Sequence, residues 1–292
     1  MADLDKPHVD SVTGVATTGH EWDGIAELNN PLPRWWLWIF YACIVFSIGY
    51  WVLYPSWPLI TNAAGGVFGW HAREAVVEDL DALRAKRAPM VAKLTGVPIA
   101  QVKADSALFD FTLAYGRAAF GDNCAPCHGP GGGGAKGYPN LIDDDWLWGG
   151  SIDAVQLTIS HGVRNQNPDS RQSQMPAFGK DGLLSSSQVY QAAYYVRSLA
   201  VLEVPQNADV AAGGQIFADN CAVCHGDNAK GNRELGAPDL TDAVWLFGSE
   251  LEDVVHTITY ARNAAMPDWG ARLDPTTIKA LAVYVHSLGG GE

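Results

Sequence analysis

Two copies of one short pattern constrain this chain more than anything else in it: Cys124-Ala125-Pro126-Cys127-His128, and again Cys221-Ala222-Val223-Cys224-His225. Two cysteines with two residues between them and a histidine directly after is the attachment spacing of a c-type haem. The thiols add to the two vinyl groups on one porphyrin edge, and the short turn between them positions that edge. The adjacent imidazole then swings under the iron as its proximal ligand. A thioredoxin-like redox pair needs no trailing histidine. A zinc site would call for further ligands at finger-like spacing, which are not found. No disulfide framework is implied, because the fifth cysteine, Cys43, stands in an apolar run and reads as a small hydrophobe. The pattern predicts two covalent haem c groups, held by Cys124, Cys127, Cys221 and Cys224, with His128 and His225 on the irons.

The surroundings of the motifs repeat as well. Gly116-Arg117-Ala118-Ala119-Phe120 matches Gly213-Gly214-Gln215-Ile216-Phe217, and Pro139-Asn140-Leu141 matches Pro238-Asp239-Leu240. Trp146-Leu147-Trp148-Gly149 matches Trp245-Leu246-Phe247-Gly248, and Tyr195-Val196-Arg197-Ser198-Leu199 matches Tyr284-Val285-His286-Ser287-Leu288. Such self-similarity signals a duplicated domain, with boundaries expected at 108–202 and 207–292. Each half carries one Met-Pro pair, Met175-Pro176 and Met266-Pro267, in a loop before an amphipathic helix. A thioether is a soft ligand that favours the reduced iron and raises its potential. Recurrence at the matching place makes Met175 and Met266 the expected sixth ligands, with His161 a weaker competitor. Ligation within each half is the simple assumption, although nothing in the chain forbids each methionine from reaching the other half's iron.

Both halves read as helical. A short helix leads into each motif, a middle helix lies around Asp153–Ser160, and a last helix runs from Gln188 to Leu199 behind the cap candidates Ser185-Ser186-Ser187. Asp274-Pro275 opens the corresponding helix of the second half, proline being favourable in a first turn. The expected fold class is all-α.

Ahead of the repeats, residues 1–34 form a polar, turn-rich arm without a basic start and cleavage site, so no signal peptide is expected. About twenty uncharged residues follow, 35–54, enough as a helix to span a hydrocarbon core of roughly 30 Å. Trp35, Trp36 and Trp38 crowd one end, with Tyr50, Trp51, Tyr54 and Trp57 at the other, as in interfacial belts. The basic residues Arg34 and Arg73 barely decide orientation. Covalent haem attachment outside the energy-conserving membrane decides it, placing the N-terminus in the cytoplasm and the haem domains in the periplasm. Residues 55–107 read as a periplasmic stalk, helical from about Trp70 to Leu94 with Pro89 interrupting it. The net charge of −13 argues against nucleic acid as a partner. It suits docking of a basic redox protein, and equally a plain acidic, solvated surface.

The helix-motif-methionine order resembles the class I cytochrome c fold. That resemblance implies that terminal helices cross at Gly116, Phe120 and Tyr195, and at Gly213, Phe217 and Tyr284. It also implies that the carbonyls of Pro139 and Pro238 accept the proximal imidazole N–H, with Trp148, Arg164 and Arg262 as candidates for the haem propionates. The stretch from Thr18 to Trp36, then one membrane helix, Tyr54-Pro55-Ser56-Trp57-Pro58 and two haem domains resembles the diheme, FixP-like subunit III of cbb3-type cytochrome c oxidases along nearly the whole chain. This implies an electron-entry subunit, not itself catalytic, that takes electrons from a cytochrome c donor. They would pass to a monohaem subunit and then to the haem–copper catalytic subunit. A free-standing membrane-anchored carrier, the cytochrome arm of a dehydrogenase and a diheme peroxidase are the alternatives.

Overall fold

In a computed structural model, residues 7–291 are described; the first six residues of the arm and Glu292 lie outside them. The chain forms two compact units, meeting in sequence at Lys86 and Arg87.

The first unit opens with an antiparallel hairpin, β1 (Thr17–Trp22) and β2 (Ile25–Leu28). Its turn is Asp23-Gly24, both with positive φ (51° and 82°), which is the backbone a tight hairpin of matching twist requires. The arm is therefore partly β, a local exception to the all-α expectation. Helix α1 (Arg34–Leu53) follows. Among the described residues it is the one helix long and apolar enough to cross a membrane, and none of its span is buried in protein. Cys43 is exposed on it. Past α1 the chain folds back, with Val67 and Phe68 donating to the carbonyls of Val52 and Leu53. Tyr54 stacks on Tyr50 at 4.8 Å and meets the edges of Phe68 and Trp70.

Helix α2 (Ala72–Gly96) runs through Pro89. A proline removes one intrahelical bond, yet the expected interruption does not appear. Beyond Pro89 the helix is held by tertiary contacts of the second unit: Met90 packs on a core that includes Leu94, and Lys279 Nζ donates to the carbonyls of Leu94, Thr95 and Val97 at 2.8–3.1 Å. The stalk boundary expected at 107 thus lies inside a domain core, because Ile99 and Val102, on a 3-10 turn (Ile99–Ala104), are buried there too.

The rest of the second unit is α3 (Ser106–Asn123), α4 (Ala125–His128), α5 (Ile152–His161), α6 (Ser186–Leu199), α7 (Val210–Asn220), α8 (Ala222–His225), α9 (Leu251–Tyr260) and α10 (Pro275–His286). It holds two cores, and neither coincides with a sequence repeat. One joins α3 and α5 to α10, with Phe120, Leu108, Val155, Ile159 and Leu281 at its centre. The other joins α6, α7 and α9, with Phe178, Val189, Ala193, Phe217 and Ile258 buried together. Side chains such as Phe120 and Leu281 stabilise by about 1.5–3 kcal/mol each when fully buried, so these contacts decide the partition.

The two closing helices have therefore exchanged places. Gly116 lies against the Ala280 carbonyl and Tyr284 Cβ, while Gly213 lies against the Gln191 carbonyl and Tyr195 Cβ. A Cβ at either glycine would collide with backbone. The ring pairs follow: Phe120 with Tyr284 and Phe217 with Tyr195, each at 5.4 Å. The crossing residues are those expected, but their pairing within 108–202 and within 207–292 is corrected. One domain is continuous in sequence, beginning between Ile159 and Met175 and ending between Ile258 and Met266. The other is discontinuous and surrounds it. The short segment 201–207 accounts for the choice, since it leaves α6 and α7 as consecutive neighbours, the usual outcome for elements joined by a short connection.

Candidate haem sites

Each motif grows out of a capped helix. Asp105 accepts the Leu108 N–H to open α3, and Asp209 accepts the Ala212 N–H to open α7. The last turn of each helix continues into its first cysteine, Cys124 N–H bonding to Phe120 O and Cys221 N–H to Phe217 O, both at 2.8 Å. The cysteine carbonyl then accepts the histidine N–H at 2.9 Å in both copies, so one helical turn sets the spacing of thiol and imidazole.

Each imidazole has a backbone carbonyl beside its Nδ1. His128 Nδ1 lies 2.9 Å from the Pro139 carbonyl, and His225 Nδ1 lies 3.0 Å from that of Pro238. A carbonyl can only accept, so Nδ1 carries the proton and Nε2 keeps its lone pair for a metal. Burial also pulls the His225 pKa down, the Pro238 bond opposing it.

The inner thiols, Cys124 and Cys221, are pushed up to about 11, first by burial and then by the neighbouring Cys127 and Cys224. Among the described residues, no group of three or more His, Cys, Asp or Glu side chains is placed to hold a bare metal ion.

The methionines follow the exchanged helices. Met266 packs against the same core as Cys124 and Ala125, and Met175 against the same core as Cys221 and Ala222. Their backbones are gripped by residues that follow the middle helices. Val163 and Met266 exchange both backbone bonds (3.0 and 2.8 Å), and Asn165 Nδ2 donates to the Met266 carbonyl at 2.8 Å. On the other side, Met175 N–H donates to Asn263 Oδ1 at 3.1 Å, and Asn263 Nδ2 donates to the Met175 carbonyl at 3.2 Å. His161 closes α5, its carbonyl accepting from Asn165.

The propionate candidates divide by their surroundings. Arg262 lies over the Phe247 ring and donates to the Phe247 carbonyl, His256 and Asp253. Arg164 lies over Trp148, and two of its donors already reach the carbonyls of Ser173 and Ala264. Trp148 also has Gly236 against its ring and the guanidinium of Arg171 over it at 5.5 Å. Arg171 Nε is buried with no protein partner. A buried donor without an acceptor is costly, and an acidic substituent of a porphyrin would supply one. With the imidazole Nε2 atoms left for iron and the thiols unpaired, the residues fit haem c.

Arg171, Asn165 and Asn263 escaped the sequence reading. The available signal was loop length: the stretch from His161 to Met175 is longer than that from Tyr260 to Met266, and the extra residues include Arg171.

Three family matches lie along the chain, and the two cytochrome matches follow the order of the sequence repeats. Residues 14–61 match the family described as the N-terminal domain of cytochrome oxidase-cbb3, FixP. Residues 113–200 match cytochrome c, and residues 208–285 match cytochrome c oxidase, cbb3-type, subunit III. The cbb3-type cytochrome c oxidase subunit FixP of Bradyrhizobium sp. (strain ORS 278) is 54% identical over 99% of each chain. The chain belongs to the FixP/CcoP family. FixP of Azorhizobium caulinodans is also 54% identical, over 97% of this chain and 96% of its own. The subunit CcoP of Cereibacter sphaeroides is 49% identical over 94% and 95%. As a FixP/CcoP member the chain is an electron-transfer subunit of a cbb3-type oxidase complex, with cytochrome c domains that imply covalent haem c. Helix α1 is consistent with membrane anchoring.

Proposed function

We propose that the chain carries two haem c groups with crossed axial ligands, His128 with Met266 and His225 with Met175, and relays electrons without doing chemistry on a substrate. The observation that carries this reading is the placement of each methionine on the core of the other repeat's Cys-x-x-Cys-His turn. The iron supplies the one-electron chemistry; the protein's part is to bind, orient and seal. Pro139 and Pro238 hold the imidazoles, and the Met175 and Met266 loops close the opposite faces, leaving no open position for peroxide or oxygen. Trp148, Arg171, Arg164 and Arg262 line the propionate side.

In the complex, electrons enter from a cytochrome c donor and leave through a monohaem subunit toward the haem–copper catalytic subunit. The N-terminal arm lies in the cytoplasm and the haem domains in the periplasm, where covalent haem attachment takes place.

Counting native haems tests the crossed ligands. Met266→Ala combined with His128→Ala strikes one iron twice and is expected to leave one haem with its methionine–iron charge-transfer band. Met266→Ala combined with His225→Ala is expected to leave none. The reverse outcome assigns the ligands within the repeats and sinks the proposal.

A further inference from the structure

Arg164 lies where the discontinuous domain hands the chain to the continuous one, directly after Val163. Its Nε donates to the Ser173 carbonyl at 2.8 Å, two residues before Met175, and its Nη1 donates to the Ala264 carbonyl at 2.9 Å, two residues before Met266. One guanidinium thus reaches both methionine loops at equivalent positions. Arg164 is half-buried, and its guanidinium lies over Trp148. Its backbone has φ 48°, a region few residues other than glycine occupy. The Arg164 N–H bonds to the Arg171 carbonyl at 2.7 Å in that conformation. Two asparagines also cross between the loops: Asn165, ahead of Met175 in sequence, donates to the Met266 carbonyl, and Asn263, three residues before Met266, exchanges bonds with the Met175 backbone; the Arg164 guanidinium bonds to both loops at once.

We propose that Arg164 is a positioning residue shared by both haem sites, a fork that ties the Met175 loop to the Met266 loop. This rests on the crossed-ligand reading above. A guanidinium is planar and presents its donors at fixed angles, so a shift of one carbonyl turns the donor aimed at the other. Coupling of this kind is reciprocal: whatever moves the Met175 loop acts on Met266 through the same side chain, and the reverse.

The test uses the full chain in its complex, with covalent haem content measured first. Potentiometric titration and the methionine–iron charge-transfer bands are then followed in R164Q and R164K. In R164Q both potentials are expected to fall and both bands to weaken. R164K keeps the charge without the fork and is expected to leave at least one haem shifted. An R164Q protein with one haem unchanged in both readouts overturns the proposal, as does an R164K protein with both haems at wild-type values. If R164Q fails to retain both haems, R164K decides by the same criterion. Met175→Ala and Met266→Ala, run alongside, report separately on the ligands. If each removes one band while R164Q spares a haem, the ligands stand and the fork falls.

Discussion

Gly116 and Gly213 show what a single residue contributes here and how far it can be read in advance. Both were recognisable as crossing points from their place before the motifs. Which helix each meets was not, because Tyr195 and Tyr284 occupy the same position in nearly the same surroundings, and α6 or α10 would satisfy either glycine. A methyl group added at Gly116 would press on the Ala280 carbonyl, and overpacking of this sort destabilises by roughly 1–3 kcal/mol. Gly116→Ala is expected to raise hydrogen exchange in α3 and α10 while sparing α6; Gly213→Ala should do so in α7 and α6 while sparing α10. Exchange that rises in α6 for the Gly116 variant would contradict the exchanged pairing. The ligand types were equally legible: cysteine, histidine and methionine stood out by spacing and repetition. The asparagines that hold the methionine loops did not, since Asn165 and Asn263 act through backbone carbonyls and carry no spacing signature.

At the scale of elements, caps made the helices of the second unit readable. Ser185 and Gln188 form a reciprocal capping box at the start of α6, which satisfies two otherwise orphan donors. Asp274 caps α10 by accepting the N–H groups of Thr276 and Thr277 at 3.0 and 3.1 Å. Burial works against the Asp274 charge, but the bonds from the Thr277 hydroxyl and these amides outweigh it and hold the carboxyl below its usual range. A depressed carboxylate pKa contributes stability that is present above the unfolded-state pKa of about 3.9 and is lost as pH falls through the folded value. Asp274→Ala is therefore expected to cost about 1 kcal/mol at pH 7, with variant and wild type converging below about pH 4. Urea unfolding followed by haem absorption at pH 7 and pH 3 measures both. The β1–β2 hairpin and the uninterrupted α2 were missed for opposite reasons. Asp23-Gly24 is a good hairpin turn between strands too short to announce themselves, whereas Pro89 is a genuine local breaker overruled by contacts distant in sequence.

Across the whole second unit, one cytochrome fold is inserted into another. The continuous domain starts with its methionine loop and closing helix, α6, and only then supplies its opening helix and motif. It is a circularly permuted cytochrome, with 201–207 joining ends that lie close together, the situation in which permutation and insertion are tolerated. A fragment spanning 164–263 is thus expected to fold and attach one haem with a methionine band, while a fragment spanning 87–202 retains no such band. The opposite result would restore two side-by-side domains. Composition and repeats could show that two such folds exist, because each needs a motif, a methionine and three helices. Nesting escapes that kind of reading: it changes who touches whom and leaves every local pattern intact.

If the arm stays in the cytoplasm as proposed, the segments beyond α1 emerge in chain order, Cys124 long before Cys221. Yet the shelter for Cys124 stands ajar until Pro275–His286 arrives, while the later pair needs nothing beyond Asn263. The earlier-born compartment is the last to shut, and the machinery that joins porphyrin to protein has its longer working interval there.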